Sequence, residues 1–183
     1  MKIAFMGTHG VGKTTLCFEL AAALKRLDRS VDVVKEVARR CPLPINRDTT
    51  RDAQLWILHN QIAEEIALEP SFDVIVCDRA VLDNYAYLVN AAGRQPPLED
   101  LVRSWMKSYH LLVKVPVMSA PRFDGTRDVS VTFQLEIDRL IDDLIAEYGL
   151  SCLRLPGDDR SEWVPAVLST LNLPREAPQL DLF

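Results

Sequence analysis

Gly7-Thr8-His9-Gly10-Val11-Gly12-Lys13-Thr14 stands between a short apolar run, Ile3–Met6, and a segment whose apolar residues recur at helical spacing. The octapeptide satisfies G-x-x-x-x-G-K-[ST] at every fixed position, and its place between a strand pattern and a helix pattern is the context that gives the motif meaning. Three glycines allow a tight turn whose successive N–H groups point inward, where they can meet phosphate oxygens. A helix starting near Lys13 adds the partial positive charge of its N-terminus. The chemistry then assigns roles: Gly7, Thr8, His9, Gly10, Val11, Gly12, Lys13, Thr14 and Thr15 form the nucleotide cradle, Lys13 reaches the β- and γ-phosphates, and the Thr14 hydroxyl ligates Mg²⁺. His9 fills a spacer position and is given no chemistry of its own.

Working outward, the hydrophobic period alternates between two values. After the octapeptide, Leu16, Leu20, Ala23, Leu24 and Leu27 share one helical face. Val31–Val34 is a second β-branched run, and residues 52–68 are helical with Leu55, Leu58, Ile62 and Ile66 aligned. Val74–Cys77 is a third strand, closed by Asp78. Helices are predicted over 82–92 and 98–108, separated by a break at Gly93, Pro96 and Pro97. Leu111–Val117 is a fourth strand, Met118–Ser130 an irregular loop, and a long helix then buries Phe133, Ile137, Leu140, Ile141, Leu144 and Tyr148. Cys152–Leu155 gives a fifth strand and 161–171 a last helix. Strands alternating with amphipathic helices predict an α/β fold, a five-stranded parallel sheet with helices on both faces, and ligands at the C-terminal strand ends. The expected organisation is one domain over 1–171, with a small lid at about 118–130, and a tail over 172–183.

The 183 residues are 48% hydrophobic and 26% charged, with net charge −5, the profile of a globular chain whose overall field would not hold it on nucleic acid or an anionic membrane. Cys17, Cys41, Cys77 and Cys152 are far apart and form no C-x-x-C pair, which argues against a zinc site or a disulfide framework and for a reducing, cytoplasmic setting. No run approaches the roughly 20 apolar residues of a spanning helix, and Met1–Met6 is too short for a signal peptide.

Asp78, at the end of an apolar strand, is the natural second support for magnesium beside Thr14. With this motif pair, the chain resembles the small P-loop kinase group: thymidylate kinases, the nicotinamide-riboside kinase domain of a bacterial NAD regulator, and small AAA-type ATPases of the same kind. Four stretches carry the resemblance. Beside the P-loop, Glu36-Val37-Ala38-Arg39 is similar to the E-x-x-R element that meets the acceptor in such kinases. The stretch from Asp78-Arg79 through Asp83 to Ala86-Tyr87 resembles D-R-x-x-x-[SD]-x-x-A-Y, whose arginine and later polar residue line the acceptor pocket. Asp124-Gly125-Thr126-Arg127 is similar to a D-G-x-R lid segment that brings an arginine over the phosphates.

The resemblance implies a phosphotransferase that uses Mg²⁺ and ATP, with GTP an open alternative, and moves the γ-phosphoryl group to a nucleoside or nucleoside monophosphate. Lys13, Glu36, Asp78 and Arg127 would be the catalytic groups, and Glu36, Arg39, Arg79 and Asp83 would bind the acceptor. Phosphoryl transfer asks for cations around the moving group and a carboxylate beside the acceptor hydroxyl, with Glu36 favoured over Asp83. Tyr85, Tyr87, Trp56 and Trp105 are aromatic candidates for stacking on a base. Two other readings stay open. Arg39, Arg40, Arg47, Arg51 and Arg79 would serve a polynucleotide 5′-hydroxyl kinase, and a nucleotide-dependent switch would need no acceptor pocket at all. Finally, Gln179-Leu180-Asp181-Leu182-Phe183 resembles the peptide that docks on the bacterial sliding clamp, two apolar anchors on an extended segment.

Overall fold

The computed structural model describes residues 1–121, 123–125 and 128–175. Five strands, β1 (Lys2–Met6), β2 (Val31–Val34), β3 (Val74–Asp78), β4 (Leu111–Lys114) and β5 (Leu153–Arg154), form one sheet in the order β2-β3-β1-β4-β5, every pairing parallel. Six helices connect them: α1 (Lys13–Arg26), α2 (Arg51–Leu68), α3 (Val81–Ala92), α4 (Pro96–Met106), α5 (Val131–Glu147) and α6 (Trp163–Thr170). This is the P-loop NTPase fold. From β1 the chain crosses to β2 at one edge, while β4 and β5 add on the other side, so the strand order reverses at β1. The crevice at its C-terminal end is where such sheets hold ligands.

Alternation along β1 shows why the sheet is covered twice. Ala4 and Met6 point into a core shared with α2, α3, α4 and α5, whereas Ile3 and Phe5 point into a second core under α1 and α6. All five β1 residues are buried, and a strand buried on both faces reads as a continuous apolar run. Cys17 and Cys77 sit in these layers as small apolar groups, and all four cysteines are free thiols.

Several boundaries differ from the sequence pattern. Pro96 and Pro97 do not extend the break after Gly93; they begin α4 as its first two residues, where proline lacks only an N–H that a first turn leaves unpaired. β4 stops at Lys114, although the Val115 N–H still reaches the Met6 carbonyl at 2.8 Å. The segment predicted as one helix from 161 opens as a 3-10 turn, Arg160–Glu162, before α6. On α2 the apolar stripe is only part of the buried face: Leu58 is fully buried and Leu55 and Ile62 pack against the core, but Ile66 is 52% exposed, and Gln54, Gln61 and Glu65 face inward with Ile57. Hydrophobic period misplaces that helix because its inner polar groups are hydrogen-bonded within the protein. Among the described residues, no helix is long and apolar enough to cross a membrane.

Candidate active site

The loop leaving β1 is shaped by two neighbours. Gly7 has φ 146°, and a Cβ there would stand 2.9 Å from the Val115 carbonyl oxygen, so the close approach of the segment just after β4 demands glycine. The Gly7 N–H donates to Asp83 Oδ1 at 2.7 Å, and Asp83 Oδ2 accepts the Ala80 N–H at 2.8 Å. Gly12, at φ 98°, turns the chain into α1, whose first turn carries no side-chain cap and leaves its amides open to an anion. Lys13 is 5% exposed, and its ammonium donates to the Gly7 and Thr8 carbonyls at 2.8 and 2.5 Å. Burial first, and then the Arg79 charge, lower its pKa to about 8.

Thr14 and Asp78 come together as donor and acceptor. The Thr14 hydroxyl donates to Asp78 Oδ2 at 2.5 Å, and burial raises the Asp78 pKa despite nearby Lys13. A hydroxyl and a carboxylate beside a phosphate cradle are the hard oxygen donors magnesium takes, its remaining positions going to phosphate and water. Among the described residues there is no group of three His, Cys, Asp or Glu that could hold a metal by itself. Of the other cradle residues, Thr8 and Val11 are buried, Thr15 lines the cavity, and the His9 N–H donates to the Tyr87 hydroxyl at 3.2 Å. The His9 ring packs 5.3 Å from that of Phe133.

Across the cavity, Glu36 ends the segment after β2 and sits between two arginines. Arg79 donates through Nε and Nη2 to Glu36 Oε1 at 3.0 and 2.7 Å, and Arg39 Nε donates to Oε2 at 2.8 Å. Burial would raise the Glu36 pKa, but Arg79, and after it Lys13, bring it down to about 2. Arg79 is 5% exposed at the positive φ of 98°, lies 5.0 Å over the Tyr87 ring, and its Nη1 has no hydrogen-bond partner among the described residues. The Asn84 amide nitrogen is likewise buried and unpartnered among them. Both residues line the cavity, and two buried donors without acceptors mark where a ligand would bring oxygens.

The cavity thus unites Lys13, Thr14, Glu36, Arg39, Asp78 and Arg79. Asp83, expected on the acceptor side, lies beneath the loop instead. It is fully buried and both carboxylate oxygens are occupied by backbone amides, because a helix N-terminus and the loop both need an acceptor there. Arg127 lies outside the described residues, as do the Gln179–Phe183 peptide and Thr126. Of the aromatic candidates only Tyr87 lines the cavity. Trp105 donates to Glu65 and the Tyr85 hydroxyl to Glu99, both at 2.8 Å, and Trp56 is half-buried on α2.

A family model described as an AAA domain matches residues 2–162. The chain belongs to this AAA domain family. Its fold is similar to that of the deoxyadenosine kinase from M. mycoides with bound dATP: TM-score 0.68 and 17% identity over 94% of this chain and 99% of that one. The same kinase with the products dCMP and a flexible dCDP gives TM-score 0.65 and 15% identity over the same shares. At these identities the likeness is one of fold. No protein of curated function matches the chain.

Sequence reasoning passed over several residues that line the cavity of this AAA domain, among them two polar ones on helices. Gln54 is one turn into α2, 3% exposed, with its amide donating to Thr49 Oγ1 at 2.8 Å. Asn84 is 2% exposed on α3. A signal existed for both: each is a polar residue at an inward helical position, beside Ile57 on one helix and beside Leu88 on the other.

Proposed function

We propose that the protein is a magnesium- and ATP-dependent kinase that phosphorylates a hydroxyl group of a nucleoside. The observation that carries this reading is the Glu36 carboxylate, kept ionised by Arg79 and Arg39 in the same cavity as Lys13 and the Thr14–Asp78 pair. A kinase needs a carboxylate to orient the acceptor hydroxyl, and an ionised one is fixed here opposite the phosphate cradle.

Glu36 accepts the hydrogen bond of the acceptor hydroxyl and so aims its lone pair at the γ-phosphorus. The hydroxyl oxygen forms its bond to phosphorus as the bond to the β–γ bridging oxygen breaks, and ADP carries away that electron pair. The proton passes to Glu36. A carboxylate with a pKa of about 2 is a weak base, so orientation comes first and proton transfer late, which suits a loose transition state. Lys13 exchanges its two loop carbonyls for phosphate oxygens. Magnesium, when bound at Thr14 and Asp78, supplies neutralisation of the triphosphate charge.

Two observations favour a neutral acceptor over a nucleoside monophosphate. Arg79 and Arg39 are both directed at Glu36, and Arg39 also reaches Asp124 at 2.6 Å, so an acceptor phosphate would have to compete with carboxylates already in place. The deoxyadenosine kinases of similar fold are named for a nucleoside. The polynucleotide reading finds less support, since the remaining arginines are also engaged: Arg40 with Glu64, Arg47 with Asp128 and Arg51 with Gln95.

The test is transfer of label from γ-labelled ATP with Mg²⁺ to a panel of nucleosides, deoxynucleosides, their monophosphates and 5′-hydroxyl oligonucleotides. Labelled nucleoside monophosphate is the expected product. Label found only as inorganic phosphate would favour the switch, and labelled oligonucleotide would favour the polynucleotide kinase.

A further inference from the structure

We infer that Gln61 and Tyr109, anchored on the buried carboxylate of Glu65, are positioning residues that hold the Arg79–Val81 backbone where Arg79 can grip Glu36. The kinetic meaning of this rests on the kinase reading; the geometry does not.

Arg79 has φ 98°, a conformation that a residue with a side chain adopts only under constraint. Such a backbone persists where its surroundings over-determine it. Here the clamps are three. Gln61 Nε2 donates to the Arg79 carbonyl at 3.3 Å, Asp83 takes the Ala80 N–H, and the Tyr109 hydroxyl takes the Val81 N–H at 3.2 Å. The first and third converge. Gln61 Nε2 also donates to Glu65 Oε1 at 2.9 Å, and the Tyr109 hydroxyl donates to the same oxygen at 2.6 Å.

Glu65 is fully buried, with four donors on its two oxygens: Gln61, Tyr109, Trp105 and, at 3.0 Å, the ammonium of Lys2. Lys2 is 2% exposed and lies 4.5 and 5.0 Å over the rings of Trp105 and Tyr109. A buried ion pair of this kind is weak evidence for stability, because desolvation offsets the attraction. What it does provide is a rigid acceptor that orients two donors. The Gln61 amide cannot be assigned the other way round, since both partners of its nitrogen are acceptors, and its oxygen has no partner among the described residues. An apolar side chain would avoid that unpaired oxygen. The retained amide therefore acts through its two N–H groups, one on the carboxylate and one on the backbone of the acceptor site. Burial, and then the Glu65 charge, push the Tyr109 phenol well above its usual range, so it stays a donor.

The experiment uses Gln61→Met and Tyr109→Phe in the full chain, alone and combined with Arg79→Lys. The Arg79 side chain is followed by its ¹⁵Nε–H resonance, assigned by its loss in Arg79→Lys, and Mg²⁺–ATP affinity by calorimetry. The expected result has four parts: thermal unfolding remains cooperative, ATP affinity stays within about twofold, the Arg79 Nε–H resonance shifts or exchanges away, and kcat for transfer falls by roughly 10–100-fold. In the Arg79→Lys background neither change slows transfer further. An unchanged Arg79 resonance in both variants overturns the inference, as do losses that multiply in the Arg79→Lys background. Should Gln61→Met fail to fold, Tyr109→Phe, which removes one oxygen from an enclosed ring, reads the same outcomes. If the parent protein phosphorylates no acceptor while the Arg79 resonance is still lost in the variants, the kinase reading falls and the positioning role stands.

Discussion

At the residue scale the proposed kinase reading rests on Lys13 and Glu36, and each has a measurable titration. Lys13 has a pKa of about 8 without nucleotide because burial disfavours its charge. A triphosphate opposes that effect, so binding of Mg²⁺–ATP at pH 8 takes up a proton. Calorimetry in two buffers of different ionisation enthalpy should give different apparent heats at pH 8 and equal ones at pH 6. Lys13→Ala should lower transfer by about 10²–10³-fold, the range seen when one charge-stabilising group is removed; full activity would refute the phosphate-cradle assignment. For Glu36 the folded pKa is depressed to about 2, below the ordinary carboxylate value of 4.5. Its stabilising effect is therefore complete above about pH 5 and is lost as pH falls toward 2. Urea unfolding should show Glu36→Gln less stable than the parent by about 3 kcal/mol at pH 6, the scale of a broken buried pair. That gap should shrink steadily below pH 4.5; a gap constant down to pH 3 would mean that Arg79 does not hold the carboxylate.

Elements position these residues through their ends. Both Asp83 oxygens tie the start of α3 to Gly7, coupling the loop to the helix that carries Asn84 and Tyr87. Asp83→Ala should cost about 1–3 kcal/mol by denaturant unfolding, from two unpaired buried amides, and should weaken ATP binding by loosening the loop. An unaltered ATP affinity would show that the loop keeps its shape alone. By contrast, Thr50 caps α2 by accepting the Ala53 N–H at 3.2 Å, and Thr50→Ala should cost about 1 kcal/mol with transfer kinetics unchanged. The elements also show where periodicity misleads. α2 was legible as a helix, yet its inward face carries Gln54, Gln61 and Glu65, which a hydrophobic stripe assigns to solvent. Only a list of partners in space reveals that such groups are satisfied.

For the whole molecule, the sheet brings the ends of β1, β2 and β3 into one crevice, so removal of magnesium by EDTA should abolish transfer while leaving the fold intact. Deleting 179–183, a peptide whose sequence alone supports docking on a sliding clamp, should leave transfer unchanged and remove clamp association in a pull-down. Retained association would place any clamp contact elsewhere. The sequence by itself determined the α/β architecture and the glycine-rich loop between β1 and α1, and it pointed to Thr14 and Asp78 as a pair. Each is written in contiguous residues or in a local period: three glycines and a lysine in eight positions, and apolar runs of strand length separated by helical repeats. Tertiary structure alone decided that both Asp83 oxygens brace the loop and the start of α3, that Gln54 and Asn84 face the cavity, and that Arg79 reaches the Glu36 oxygen opposite the one Arg39 holds. The Gly7–Asp83 and Glu36–Arg79 contacts join residues 76 and 43 positions apart. Chain closure over such distances is set by the packing of the whole sheet, and no local pattern encodes which polar groups will meet once it has formed.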